Sequence, residues 1–584
     1  VKTRQRDERA RSVERPHRLE PRAAALLVPL VLAACVGTLG DAPTGGSGDG
    51  GAGGGASSAF DVAPSSRVPR LSHSEWEATV QDLLRLDAPT GLSASFEPDP
   101  LGGKQFDNEQ SALRVTPILW ADYQIAAEQL AEFVTSTPGS LAKLLPEGVP
   151  TDATGARPFV EAMALRAYRR PPTPSEVDAL ESLFASASAQ HPDLDPFVAG
   201  VRASLEALLQ SPHFVYKLER STKPDVTGRV PLDGFEVATR LSYAAWRTMP
   251  DDELFRAAAE GELATDEGLA VQVDRLLASP RAANTLRSLH DQLLDGDAYL
   301  AIDKSPSLYP TFHPELGEDM RAELALFVEH TLFTQTGTLA DLFTSTTTFV
   351  TPALAPFYGL DPASLPAPEA TCEECTSQGL SRVELDPAQR SGLLTRLGFL
   401  AYKGTQTQPD TILRGVFVNR KLLCQSLGDP PDEAVGAILG EGTTNREKVE
   451  LLTGPGTCGA SCHGIFINPI GFAFEHYGAM GEYRTTDAGQ PIDSSATFLF
   501  EDGERSYADA VELSGLLASS PQVHRCYAGH LLSFGLGRAG ELEDELVLDD
   551  LAAESLGGAS VRAVWRSLLV SDALRFRSVE GPST

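Results

Sequence analysis

The sequence predicts a mainly α protein, several consecutive helical domains with few short strands. Three observations carry that prediction. Helix-start signatures recur along the chain, no long alternating pattern competes with them, and 584 residues are too many for one hydrophobic core. The signatures are Ser72-x-x-Glu75 before WEATVQDLL, Thr173-x-x-Glu176 before VDALESLF, Asp233-x-x-Glu236 before VATRLSYAAW and Thr444-x-x-Glu447 before KVELL. In each, a side-chain oxygen can cap orphan amides while the Glu three residues on reaches back to the cap. Phe235, Ala238, Leu241, Ser242 and Ala245 fall at helical spacing, and Pro250 and Gly261 bracket a further helix. Short strands are expected only at 344–350 (TSTTTFV) and 495–500 (SATFLF).

The N-terminal region reads as export machinery. Seven arginines within residues 1–22 precede the apolar run AAALLVPLVLAA at 23–34, too short to span a bilayer and of the length of a signal-peptide core. It ends in Leu32-Ala33-Ala34-Cys35, which resembles the lipobox of bacterial lipoproteins, so residues 1–34 are expected to be a lipoprotein signal peptide and Cys35 the lipidation site. Residues 35–65, rich in Gly and Ser, are expected to be a tether that buries no core. Val36 after the cysteine favours the outer membrane by resemblance to other lipoproteins. The expected location is the bacterial cell envelope, lipid-anchored, periplasmic or surface-exposed.

Proline and glycine breaks divide the remainder into helical domains at 66–145, 155–221 and 229–360, a domain at 385–485 and a C-terminal helical domain at 500–578. The stretch 361–378 reads as a linker. A formal charge of −32 excludes nucleic acid as a partner, and 7% aromatic residues argue against a base- or sugar-stacking surface. Nucleophile elbows, phosphate loops and dinucleotide glycine patterns do not occur. Arg166, Arg169 and Arg170, just before two prolines, read as a solvated helix end bonded to carboxylates.

One constellation has cofactor-like specificity: Cys458-Gly-Ala-Ser-Cys462-His463. In a haem c site two thiols add to the porphyrin vinyl groups and the adjacent imidazole becomes the proximal iron ligand, so the three must be local in sequence. Cys458 and Cys462 are therefore candidate haem-binding residues and His463 the candidate iron ligand. A Cys458–Cys462 disulfide and another metal site such as zinc are the alternatives. Met480, His476, His524 and His530 are the residues from which a distal ligand could come. The other four cysteines form an even set, read as two disulfides, Cys372 with Cys375 and Cys424 with Cys526.

Several phrases taken together resemble a known family. They are LSHSEWEATVQDLL (71–84), ALRAYRRPPTPSEV (164–177), LQSPHFVYKLE (209–219), EVATRLSYAAWRTMPDDEL (236–254), RSGLLTRLGFL (390–400), RGVFVNRKLLC (414–424), CHGIFINPIGFAFEHYGAMGEYR (462–484), CYAGHLLSFGLGR (526–538) and SDALRFR (571–577). Their order is similar to that in secreted, multi-domain planctomycete and myxobacterial proteins built from a tandem run of domains of unknown function. The resemblance covers nearly all of the mature chain. It implies an envelope or extracellular location and a cytochrome-c-like motif in the C-terminal half. Here the chain departs from the pattern, since the family's CxxCH is one residue longer at 458–463.

The resulting expectation is an envelope-anchored haem c electron-transfer protein or oxidoreductase, with a membrane held through the lipid and a redox partner protein. A cofactor-free surface or periplasmic binding or assembly lipoprotein stabilised by disulfides is the alternative, and an extracellular polymer-degrading enzyme the third. Anchoring is directly testable: Cys35→Ala should move the protein from the membrane fraction to the soluble fraction, because the tether offers no other attachment. Retention of the variant in membranes would refute lipidation.

Overall fold

All four capping boxes form. Ser72 Oγ accepts from the Glu75 amide at 3.2 Å while the Glu75 carboxylate accepts from the Ser72 amide at 3.0 Å, and Thr173/Glu176, Asp233/Glu236 and Thr444/Glu447 repeat the arrangement. The computed structural model describes Ala63 and residues 65–100, 105–428 and 443–578. Cys35, the expected signal peptide and nearly all of the expected tether lie outside them. Helices dominate, and strands are confined to four two-stranded sheets among the described residues. Both expected strands occur: Thr347–Val350 pairs antiparallel with Ser381–Glu384, and Ala496–Phe500 forms a hairpin with Gly503–Tyr507. Asp252–Ala259 is the helix bracketed by Pro250 and Gly261, and Gly261 takes the left-handed conformation (φ 77°) that ends it.

Two cores organise the described residues, which belong to one packed unit. The first gathers Trp76, Tyr123, Phe159 and Phe214, with the helix Pro117–Ser136 lying along Pro196–Gln210. The second and larger one runs without a break from Phe106 and the helix Gly234–Trp246 to Trp565 and Leu574. Gly234–Trp246 serves both, giving Tyr243 to the first and Val237, Ala238 and Leu241 to the second. The strand Arg229–Pro231 pairs antiparallel with Phe576–Ser578, so the C-terminal segment closes against the middle of the chain. Among the described residues no helix is long and apolar enough to cross a membrane.

Two expectations change. The stretch 361–378 is no free linker: it ends in the helix Glu373–Gln378, whose buried Cys375 packs with Leu326, Phe349 and Leu380. Nor is Arg169 solvated. It ends the helix Ala156–Tyr168 at φ 56°, is buried, and donates to the carbonyls of His213, Phe214 and Tyr216 at 2.7–3.0 Å. Arg166 and Arg170 do bond carboxylates, those of Asp252 and Glu176. The helix Pro212–Val215 ends beside Arg169, and its leftover carbonyls need donors, which a carboxylate cannot supply.

Disulfides join Cys372 to Cys375 and Cys424 to Cys526. The second links positions 102 residues apart, so it restricts a long loop of the unfolded chain. The double variant Cys424→Ser/Cys526→Ser should lose about 4 kcal/mol of stability on the chain-entropy argument. A lowered denaturant midpoint would report it, with the slope rising as the unfolded chain expands, and an unchanged midpoint would refute it.

Candidate cofactor site

The cysteine–histidine motif lies on a layered platform. The helix Asn445–Thr453, started by its Thr444/Glu447 box, is followed by Gly454 and by Gly456 at φ 92°. The chain then makes a tight turn over Cys458–Ser461, passes Cys462, and winds a π-helical turn at His463–Ile467 that runs into the helix Asn468–Phe472. Pro469 has no N–H to offer the Ile465 carbonyl four residues back, which accounts for the irregular winding there.

Beneath the turn lies the helix Thr411–Phe417, and glycines permit the approach. A Cβ at Gly415 would lie 2.2 Å from the Ile467 carbonyl oxygen, and one at Gly471 2.1 Å from that of Thr411. Asn419 Nδ2 donates to Phe466 O at 2.9 Å and Asn468 Nδ2 to Thr453 Oγ1 at 2.9 Å, tying the turn to the helices on either side.

Arg414 fixes the platform. Its fully buried guanidinium donates to five backbone carbonyls, those of Leu400, Lys403, Phe474, Tyr477 and Gly478, at 2.9–3.1 Å. Burial pulls its pKa down to about 10, still protonated at neutral pH. Nearby, buried Glu475 accepts from Asn445 Nδ2 at 2.8 Å, and burial raises its pKa. Sequence reasoning missed Arg414 as a structural centre. The available signal was an arginine inside an otherwise apolar helical run, TILRGVF.

The structure brings Cys462 and His463 to the surface of this platform. Cys462 is an exposed, free thiol, so the alternative of a Cys458–Cys462 bridge is not formed; the side chain stands in solvent at the start of the π turn. The Cys458 side chain lies outside what is described. His463 is half-buried, its Nδ1 is buried without a hydrogen bond, and burial lowers the imidazole pKa, with the Asn468 side chain acting in the opposite sense. The neutral imidazole is the ligating form. Leu413, Leu451 and Ile465, on the three elements around the motif, are 47%, 62% and 54% exposed. A free thiol beside an imidazole is the donor pair that a covalently held porphyrin uses, so the described residues fit the group.

The four residues considered for a distal position are engaged elsewhere. Met480 is buried in the larger core. His476 Nδ1 bonds Arg484 O at 2.8 Å and its ring stacks on Tyr483. His524 bonds Ser555 Oγ at 2.8 Å and Ala518 O at 3.1 Å, and His530 Nε2 donates to Lys421 O at 2.7 Å.

Five family models match the chain in sequence, each described as a protein of unknown function. They are DUF1587 over residues 69–135, DUF1595 over 155–219, DUF1592 over 232–360, DUF1588 over 390–487 and DUF1585 over 503–574. The fourth, which contains the motif, carries the short name PSCyt3. No curated protein and no solved structure matches the chain.

Arg414 is the sensitive point of the platform. Arg414→Met would strip the donors from five carbonyls and should cost about 3 kcal/mol or more, read from denaturant unfolding. Arg414→Lys, with three donors on one nitrogen, should recover only part of that loss. Equal stability of all three proteins would show that the carbonyls find other partners.

Proposed function

We propose that this chain, which belongs to the multi-domain family built from a tandem run of these five domains of unknown function, is an envelope-anchored haem c protein that passes electrons to or from a partner protein. The observation that carries the reading is the free, exposed thiol of Cys462 immediately before His463 in the region matched by PSCyt3. Cys458 and Cys462 would hold the porphyrin, each thiol adding its S–H across a vinyl group, and His463 would be the proximal ligand. Bound haem supplies one-electron redox chemistry. Leu413, Leu451 and Ile465 would cover apolar porphyrin surface and exclude water from it. Gly415, Gly471 and Asn419 hold the π turn close to its supporting helix, fixing the backbone that carries His463. The surface position suits electron exchange, and the acidic chain suits a basic redox partner. Lipid at Cys35 would keep the protein at the membrane.

Expression in a host with cytochrome c maturation should give a coloured protein. It should absorb in the Soret region, exceed its polypeptide mass by one haem, and keep the haem after denaturation. His463→Ala should shift the bands or lower haem loading. A colourless protein of polypeptide mass from such a host would overturn the electron-transfer reading and favour a cofactor-free binding or assembly lipoprotein.

A further inference from the structure

A second group of soft ligands lies apart from the haem motif, where the helix Pro521–Leu536 meets the π-helical turn Val418–Leu422. Cys424, Cys526 and His530 place one ligand atom each within 4.8 Å of one another. Cys526 and His530 are four residues apart, so they share one face of their helix, and His530 Nε2 is 3.6 Å from Cys526 Sγ. Cys424 lies two residues beyond the π turn and is exposed, whereas Cys526 is buried. The Phe106 ring meets the imidazole edge-on, walling the site on one side.

We propose that Cys424, Cys526 and His530 are a redox-gated site for a thiophilic divalent cation such as Zn²⁺, closed as a disulfide when oxidised and assembled when reduced. A dithiol reductant attacks the exposed Sγ of Cys424. The Cys424–Cys526 bond breaks, and Cys526 leaves as a thiolate 3.6 Å from His530 Nε2, whose N–H is held by Lys421 O until the cation binds. The second thiol of the reductant then resolves the mixed disulfide, so the reductant becomes a disulfide and the chain gains two electrons and two protons. Binding the cation releases both thiol protons. The imidazole proton moves to Nδ1, freeing Nε2 to coordinate, and the bond to Lys421 O is given up. Two thiolates and one imidazole leave a fourth tetrahedral position for water or an external ligand. Cys424 sits at φ 49°, a left-handed conformation uncommon for a side-chain-bearing residue.

The test is Co²⁺ titration of the full-length chain, oxidised or reduced with a phosphine under anaerobic conditions, with helical content followed by circular dichroism. The reduced protein should show thiolate-to-cobalt charge-transfer absorption at one equivalent, displaced by Zn²⁺, and the oxidised protein should show none. His530→Ala should weaken binding at least tenfold. Cys424→Ser/Cys526→Ser should abolish the signal while keeping Cys372, Cys375, Cys458 and Cys462 as internal controls. A signal equally strong in either variant would place the cation on those other cysteines and overturn the proposal. So would absence of the signal in the reduced protein, or loss of helical content on reduction that the cation does not restore.

Discussion

Buried arginine side chains that donate to backbone carbonyls are the interaction on which this structure depends. A protein assembled from many short helices has many helix ends, each leaving carbonyls without intrahelical donors. Where those ends are buried, water cannot serve them. A guanidinium offers five N–H donors in a planar fork, enough for several carbonyls at once. Arg414 serves five, Arg169 three, and Arg240 reaches those of Ala573, Leu574 and Phe576 while pairing with Glu219. Arg390 donates to Thr395 O and Gly481 O, and Arg396 to Ser345 O and Thr347 O.

These charges would be costly in isolation, and their surroundings offset the cost. Arg390 lies over the rings of Tyr358 and Tyr477, and Arg396 over Phe327. Between them sits the fully buried Glu323, which accepts from Thr348 and Tyr358 at 2.5 Å each. Burial raises the carboxyl pKa and lowers that of Arg396, while attraction between the two opposes both shifts. Helix, hairpin and loop from different family-matched regions meet at this cluster. It explains how regions 232–360 and 390–487 share one core rather than standing as separate beads.

The same device gives the cofactor motif its character. Arg414 and the glycine contacts make the platform rigid, and the residues that would do chemistry stand above it at the surface. A rigid backbone thus underlies an exposed thiol and a half-buried imidazole. The Cys424–Cys526–His530 cluster differs: it is closed by a covalent bond and half buried, so chemistry there must begin by opening it.

Much of the secondary structure was legible in the residues because its causes are local. Ser72, Thr173, Asp233 and Thr444 cap helices through contacts spanning three residues, and the strands at Thr347–Val350 and Ala496–Phe500 follow from short apolar, β-branched or aromatic runs. The even set of cysteines anticipated both disulfides, and the cysteine–histidine order marked the candidate site. What required the folded chain was everything set by distant neighbours. No local rule distinguishes Arg169, buried among carbonyls, from Arg170, beside a carboxylate. The docking of Cys375 into a small core, the exposure of Cys462, the engagement of Met480 and His476, and the approach of His530 to Cys526 and Cys424 likewise depend on which surfaces meet. Capping and periodicity act over a turn or two, whereas burial and the search of a polar group for a partner are settled only when remote segments pack and exclude water.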